Sequence, residues 1–234
     1  PNAKLWSPDS PFLYSLRVTL LENGKKVDQI ESYFGMRKIA VAKDASGINR
    51  LMLNNKPLFQ FGPLDQGFWP DGLYTAPTDE ALRYDIEMTK KLGFNMARKH
   101  VKVEPDRWYY WCDKLGLLVW QDMMFSCSQY PSTPEFLATI DAELRYQIKR
   151  LSSRPSIALW CGDNEVIGSL TWYEASRNNR DRYLVNYDRL NRVIEKAVLD
   201  TDPGRRFWPS SPCNGDLDYG DAWHDDGSGD IHFW

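Results

Sequence analysis

The sequence lacks any apolar run near the roughly 18 residues that a membrane-spanning helix requires, so a transmembrane segment is not expected. It also lacks a basic excess. Its 29 Lys and Arg stand against 32 Asp and Glu, a formal net charge of −3, and the electrostatic footprint of a nucleic-acid binder is therefore missing. Histidine is scarce, at three residues, and the four cysteines at 112, 127, 161 and 213 show no close pairing of the zinc or redox kind. They read as reduced, structural thiols packed as small hydrophobes. The absence of a Gly-rich phosphate loop after the first strand weakens a dinucleotide-binding reading. Neither Met nor a signal-peptide pattern opens the chain at Pro1. The natural amino end is thus expected to be missing and location stays open, cytoplasmic or periplasmic for a bacterial source.

What is present is aromatic and apolar surface. Aromatics make up 14% and hydrophobic residues 42% of 234 residues, ample for a core and against disorder. Residues 1–47 differ from the rest. Leu13 to Leu20 is rich in strand formers with partial period-two alternation, Glu22-Asn23-Gly24-Lys25 is a hairpin signal, and Lys26 to Tyr33 returns. Two or three strands do not make a stable sheet alone, so this segment reads as the end of a β-sandwich whose earlier strands are absent.

From residue 48 onward the pattern is α/β. Short apolar strands are expected at Leu58–Phe61, Asn95–Arg98, Leu117–Trp120, Ser156–Trp160, Phe207–Trp208 and Ile231–Phe233. Helices alternate with them: one capped by Thr78 and stopped by Gly93, one opened by Pro105 and ended by Gly116, one starting at Thr133-Pro134-Glu135, and one over Asp181–Leu199. Continuous apolar strands covered by amphipathic helices mean a parallel sheet. Polar residues gather after the strand ends, as in a (β/α)₈ barrel. About six strands are legible where a barrel needs eight, so the fold expected for 48–234 is a truncated TIM barrel.

The densest chemical signal is Ser156-Ile157-Ala158-Leu159-Trp160-Cys161-Gly162-Asp163-Asn164-Glu165. An apolar strand delivers an amide and a carboxylate side by side at its carboxyl end. Glycoside hydrolysis needs one carboxylic acid to protonate the leaving oxygen, and an apolar wall helps it keep its proton. Glu165 beside Trp160 and Trp172 suits that role. The spacing fits equally a helix cap at Asn164 with a first-turn Glu. By themselves, Arg98 reads as a buried ion pair and Asp122 as a loop acid or cap.

RPSIALWCGDNE resembles the acid/base strand of glycoside hydrolase family 2. VWQDMMFSCSQYPSTPEFL, WPSSPCNGD and GDIHFW resemble stretches of that family's β-mannosidases, in order, over residues 117–234. GPLDQGFWPDGLYTAP and RKHVKVEPDRWYYWCDKLG, within 60–116, resemble other family 2 members, with Lys99, His100 and Val101 where β-mannosidases usually carry a Trp-Gly-rich stretch. LWSPDSPFLYSLRVTL and YFGMRKI resemble the end of the immunoglobulin-like sandwich that precedes the barrel. The resemblance implies a retaining glycosidase acting on terminal β-linked sugars, with Glu165 as general acid/base, Asn164 on the sugar 2-hydroxyl, Arg98 bracing the nucleophile and Asp122 on sugar hydroxyls. It also implies a nucleophilic Glu on a later strand, missing from residues 1–234.

Trp172, His232 and Trp234 fall at strand ends or loops and are further candidates for sugar contact, with Trp160. Trp108, Tyr109 and Trp111 fall in a helix and are expected to pack. Asp216, Asp218, Asp221, Asp225 and Asp226 do not fit a calcium loop and read as a solvated acidic loop. No metal or organic cofactor is needed, since carboxylates suffice for proton transfer and covalent catalysis. The expected partner is a carbohydrate, not nucleic acid or membrane. A complementing polypeptide or second copy is a further expectation, because missing strands leave open edges. Two alternatives stay open: a β-galactosidase-like family 2 enzyme, and a catalytically silent fragment or carbohydrate-binding module.

Overall fold

The computed structural model describes residues 2–220, 222–224 and 227–233. Its strands form three sheets. The first is an antiparallel hairpin of β1 (Tyr14–Glu22) and β2 (Lys25–Phe34), turning at Asn23 and Gly24 with φ of 50° and 79°. Two left-handed residues are what a twisted two-residue hairpin loop demands. The second sheet is antiparallel, in the order β3 (Ile39–Lys43), β4 (Asn49–Leu53), β5 (Lys56–Pro57). The β3–β4 hairpin passes through residue 47.

The third sheet has five parallel strands: β6 (Leu64–Asp65), β7 (Met96–Lys99), β8 (Leu118–Asp122), β9 (Ile157–Cys161) and β10 (Arg206–Trp208). Their spatial order follows the chain with no reversal. A doubly wound sheet would reverse direction at a switch point. Between the strands run α1 (Asp79–Lys91), α2 (Asp106–Leu115), α3 (Pro134–Leu151), the short α4 (Glu174–Asn178) and α5 (Arg180–Thr201). The caps match the sequence signals. Thr78 Oγ1 accepts from Ala81 N, Thr133 Oγ1 from Phe136 N, and Gly116 ends α2 in the left-handed region.

Two expected strands are not part of the ladder. Leu58–Phe61 has no strand pairing; the first strand is Leu64–Asp65 instead. Pro63 has no N–H to donate, and Asn95 takes over the edge: its amide spans Phe61 N and Phe59 O through side-chain bonds. Ile231–Phe233 likewise carries no strand; there only Asp230 bridges, antiparallel, to Cys213.

One core lies between the parallel strands and the helices. Ile86, Trp108, Tyr109, Cys112, Leu144, Ile148, Leu190, Ile194 and Val198 pack with Ala97, Val119, Ile157 and Phe207. At the opposite, amino-terminal edge of the strands sits Trp6, fully buried against Met96, Leu118 and Ala158, its indole N–H on Asp113 O at 2.8 Å. Tyr33 of β2 donates to Asp113 Oδ2 at 2.7 Å, and Arg37 to the carbonyls of Pro155 and Ile157. The amino-terminal segment is therefore fastened where the strands begin, leaving their carboxyl ends for a site.

Candidate active site

Each strand delivers its last residues to the same edge. From β7, Arg98 reaches across to β8 and binds Asp122 through both carboxylate oxygens, Nε to Oδ1 at 3.1 Å and Nη2 to Oδ2 at 2.9 Å. A planar guanidinium suits such two-point recognition. Nη2 also donates to Asn164 Oδ1 at 2.9 Å, and Nη1 lies 3.1 Å from His232 Nε2. Burial pushes the Asp122 carboxyl up to about 6, with Arg98 pulling against it. Burial opposes the charge on Arg98, but Asp122, with Cys161 and Asp230 adding to it, raises the guanidinium above its ordinary value.

Asn164 and Glu165 come after β9 on a bent backbone. Glu165 adopts φ 60°, a left-handed conformation that costs a non-glycine residue about 1 kcal/mol or more. Its N–H donates to Ser211 O at 2.9 Å and its carbonyl accepts from Ser169 N at 2.8 Å. Asp163 stands behind, its Oδ1 accepting from Val166 N at 3.0 Å and from the Ser210 hydroxyl. Burial pushes that carboxyl up to about 7. Cys127, at φ 52°, and Val101, at φ 48°, share the left-handed strain. Strained backbone concentrated around one group marks it as built for something other than stability.

The Glu165 carboxyl is held on both oxygens. Oε1 lies 2.7 Å from His232 Nδ1, and Oε2 3.2 Å from Cys127 Sγ. A guanidinium only donates, so His232 Nε2 must accept from Arg98; the ring proton therefore sits on Nδ1 and faces Glu165. Ser211 Oγ lies 3.0 Å from the same Nε2 and donates to Asp230 Oδ2 at 2.6 Å. His100 stands near Arg98, and burial, then the Arg98 charge, lowers its pKa below the ordinary histidine value. A cleft of about 510 Å³, lined by Arg98, Trp120, Ser211 and His232, opens beside the group. A larger groove of about 780 Å³, along Tyr130, Arg182 and Asn186, contains none of these residues.

The sequence candidates therefore divide. Glu165, Asn164, Arg98, Asp122 and His232 come together. Asp122 is fully buried and accepts from Arg98 on both oxygens, so it braces the arginine. Trp160 points the other way, into the helix-side core, with its indole N–H on Asp202 at 3.0 Å. Period two in a strand explains this, since residues 160 and 161 face opposite sides. Trp172 is part exposed and stacks on Trp223 at 5.6 Å, and Trp223 in turn lies 6.3 Å from His232. Trp234, with Asp221, Asp225 and Asp226, lies outside the described residues. Sequence reasoning missed three members: Cys127, Ser211 and Asp230. Cys127 is the one thiol of four that is not buried, and its polar neighbours Ser126, Ser128 and Gln129 were the available signal.

Known proteins share this arrangement of strands. Residues 1–37 match the family model described as Glycosyl hydrolases family 2. The β-mannosidase of Mus musculus is 42% identical over 56% of this chain and 16% of its own length. β-Mannosidase B of Emericella nidulans is 30% identical over 98% of this chain and 28% of its own. Among solved structures, the β-D-mannosidase of Dictyoglomus thermophilum superimposes with TM-score 0.83 and 33% identity, over 100% of this chain and 29% of that one. A Bacteroides uniformis β-glucuronidase superimposes at TM-score 0.71 and 29% identity, over 87% of this chain and 24% of that one. The resemblance to glycoside hydrolase family 2, and within it to β-mannosidases, thus holds, and it runs through residues 60–116 as well as 117–234. The chain spans 16–29% of the length of these relatives.

Proposed function

We propose that residues 1–234 are part of a retaining glycosidase, a β-mannosidase, with Glu165 as its general acid/base. The observation that carries this reading is one shared edge: a strained Glu165 after β9, beside an Asn164 that is bound to Arg98 of β7. One-way strand order with polar groups at the carboxyl ends is the plan of a (β/α)₈ barrel, and we read β6–β10 as its first part. The strands β1 and β2 are read as the end of an immunoglobulin-like sandwich, and residues 47 and 48 as the join.

In the first step a carboxylate attacks the anomeric carbon while Glu165 passes its proton to the departing oxygen. In the second, Glu165 takes a proton from a water whose oxygen bonds to the anomeric carbon as the bond from that carbon to the carboxylate breaks. Among the described residues, the other acids near Glu165 are engaged: Asp122 by Arg98, Asp163 by Val166 and Ser210, Asp230 by Trp208 and Ser211. The resemblance to family 2 assigns the attacking carboxylate to a Glu on a later strand, outside residues 1–234. Asn164 is assigned to the sugar 2-hydroxyl, Arg98 to the nucleophile, and Trp172 to sugar contact, with Trp234 a candidate outside the described residues.

Glu165→Gln in the full polypeptide is expected to slow mannobiose hydrolysis by about 10²–10⁴-fold, the usual worth of a general acid. Turnover of an aryl β-mannoside with a good leaving group should fall much less in its first step. Unchanged mannobiose turnover would refute the assignment. Faster turnover of p-nitrophenyl β-glucuronide than of the β-mannoside by the wild type would replace the sugar, not the chemistry.

A further inference from the structure

We propose that His232 and Cys127 are positioning residues that fix the direction of the Glu165 carboxyl by donating to its two oxygens. The inference rests on the acid/base reading of Glu165 and assigns His232 a role other than sugar contact.

The chemistry is set by which groups can donate. His232 Nε2 faces Arg98 Nη1 at 3.1 Å, and an arginine never accepts, so the imidazole is locked in the form with its proton on Nδ1. That proton points at Glu165 Oε1, 2.7 Å away. Ser211 Oγ packs beside Nε2 without bonding it, because its one proton goes to Asp230 at 2.6 Å. Asp230 itself is anchored by the Trp208 indole N–H at 2.7 Å and by Cys213 N at 3.1 Å. On the other oxygen, the Cys127 thiol accepts from Ser126 Oγ at 3.1 Å and from Asn164 Nδ2 at 3.3 Å, leaving its single proton for Glu165 Oε2 at 3.2 Å. Burial, with Glu165 adding to it, raises the thiol above its ordinary value, so it keeps that proton. Both oxygens are thus gripped through one lone pair each, and the second lone pair of either remains for the proton in transit. A carboxyl so gripped cannot swing about its terminal torsion, which is otherwise broad. Proton delivery in a displacement depends on that direction.

The test uses the full polypeptide and separates direction from binding. His232→Ala is expected to lower kcat for mannobiose by about 10–100-fold, the scale of a misplaced group, with KM nearly unchanged. Turnover of 2,4-dinitrophenyl β-mannoside, which needs no proton on departure, should fall several-fold less. The amide nitrogen of Asn occupies roughly the place of Nδ1, and that of Gln the place of Nε2. His232→Asn should therefore recover most of the lost rate and His232→Gln should not. Cys127→Ser, which keeps a donor, should likewise outperform Cys127→Ala; this pair reads the proposal independently where His232→Ala fails to fold. Equal losses in His232→Ala, His232→Asn and His232→Gln would overturn it, as would a raised KM with kcat intact. Slow Glu165→Gln alongside wild-type rates in His232→Ala would sink the positioning role alone, whereas a fully active Glu165→Gln would sink the reading beneath it.

Discussion

Asp163 and Glu165 are two residues apart and buried alike, yet their surroundings assign them different work. Glu165 meets donors on both oxygens, while Asp163 Oδ2 has no hydrogen-bond partner. Burial, which its bonds on Oδ1 only partly offset, is what pushes the Asp163 carboxyl up to about 7. Below pH ~4 both folded and unfolded chains hold the proton and the stabilisation is full. Above it the unfolded chain releases the proton while the folded one keeps it, so stability falls with rising pH until about 7 and then levels. Asp122, raised to about 6 by burial, adds to the same slope. Asp163→Asn is expected to flatten the decline in melting temperature between pH 5 and 7.5. A slope equal to wild type, measured by calorimetry across that range, would show that the carboxyl titrates elsewhere.

Among the elements, the parallel strands and their helices arise from local signals, and the glycines that stop helices show how far such signals reach. Gly93 and Gly116 have similar left-handed φ of 90° and 80°, but a Cβ at Gly93 would meet open space while one at Gly116 would lie 2.5 Å from Pro8 O. Gly93→Ala should cost about 1 kcal/mol for the backbone alone. Gly116→Ala adds a backbone clash, and about 2–4 kcal/mol is expected in urea unfolding. Equal costs would mean that the close approach of Pro8 is not maintained. The stop at Gly116 was legible from sequence; its contact with a segment more than a hundred residues earlier was not. The same limit explains Leu58–Phe61, whose apolar character suggested a strand. Pro63 and the Asn95 side chain decide the pairing there, and neither is visible in a periodicity.

For the molecule as a whole, the amino-terminal segment and the parallel sheet share one anchor at the strands' amino ends. Trp6 is fully buried, and its partner Asp113 also takes Tyr33 Oη and the Ser156 amide, at 2.7 and 2.9 Å. Trp6→Ala is expected to destabilise by about 3–5 kcal/mol, as large-to-small changes in a core do. Denaturant unfolding of the full polypeptide, monitored by both tryptophan fluorescence and far-UV circular dichroism, checks it; a loss under 1 kcal/mol would mean the segment is held by its other contacts. The strained residues Val101, Cys127 and Glu165 follow the opposite, carboxyl ends of β7, β8 and β9.

Composition, periodicity and caps were enough to determine the strands β7 to β10 and the helices α1, α2, α3 and α5, because each depends on neighbours within a turn or two of the chain. The Asn164–Glu165 pair was visible for the same reason: a strand must end somewhere, and the residues just past its carboxyl end are exposed to chemistry. Tertiary structure alone decided that Asp122 serves Arg98, that Trp160 faces the helices, and that Cys127, Ser211 and Asp230 join the group. Those assignments turn on which side of a strand a residue faces and on which loops, about 20 to 130 positions apart, meet at one edge. Such meetings are set by packing of the whole sheet against its helices, and no local pattern encodes them.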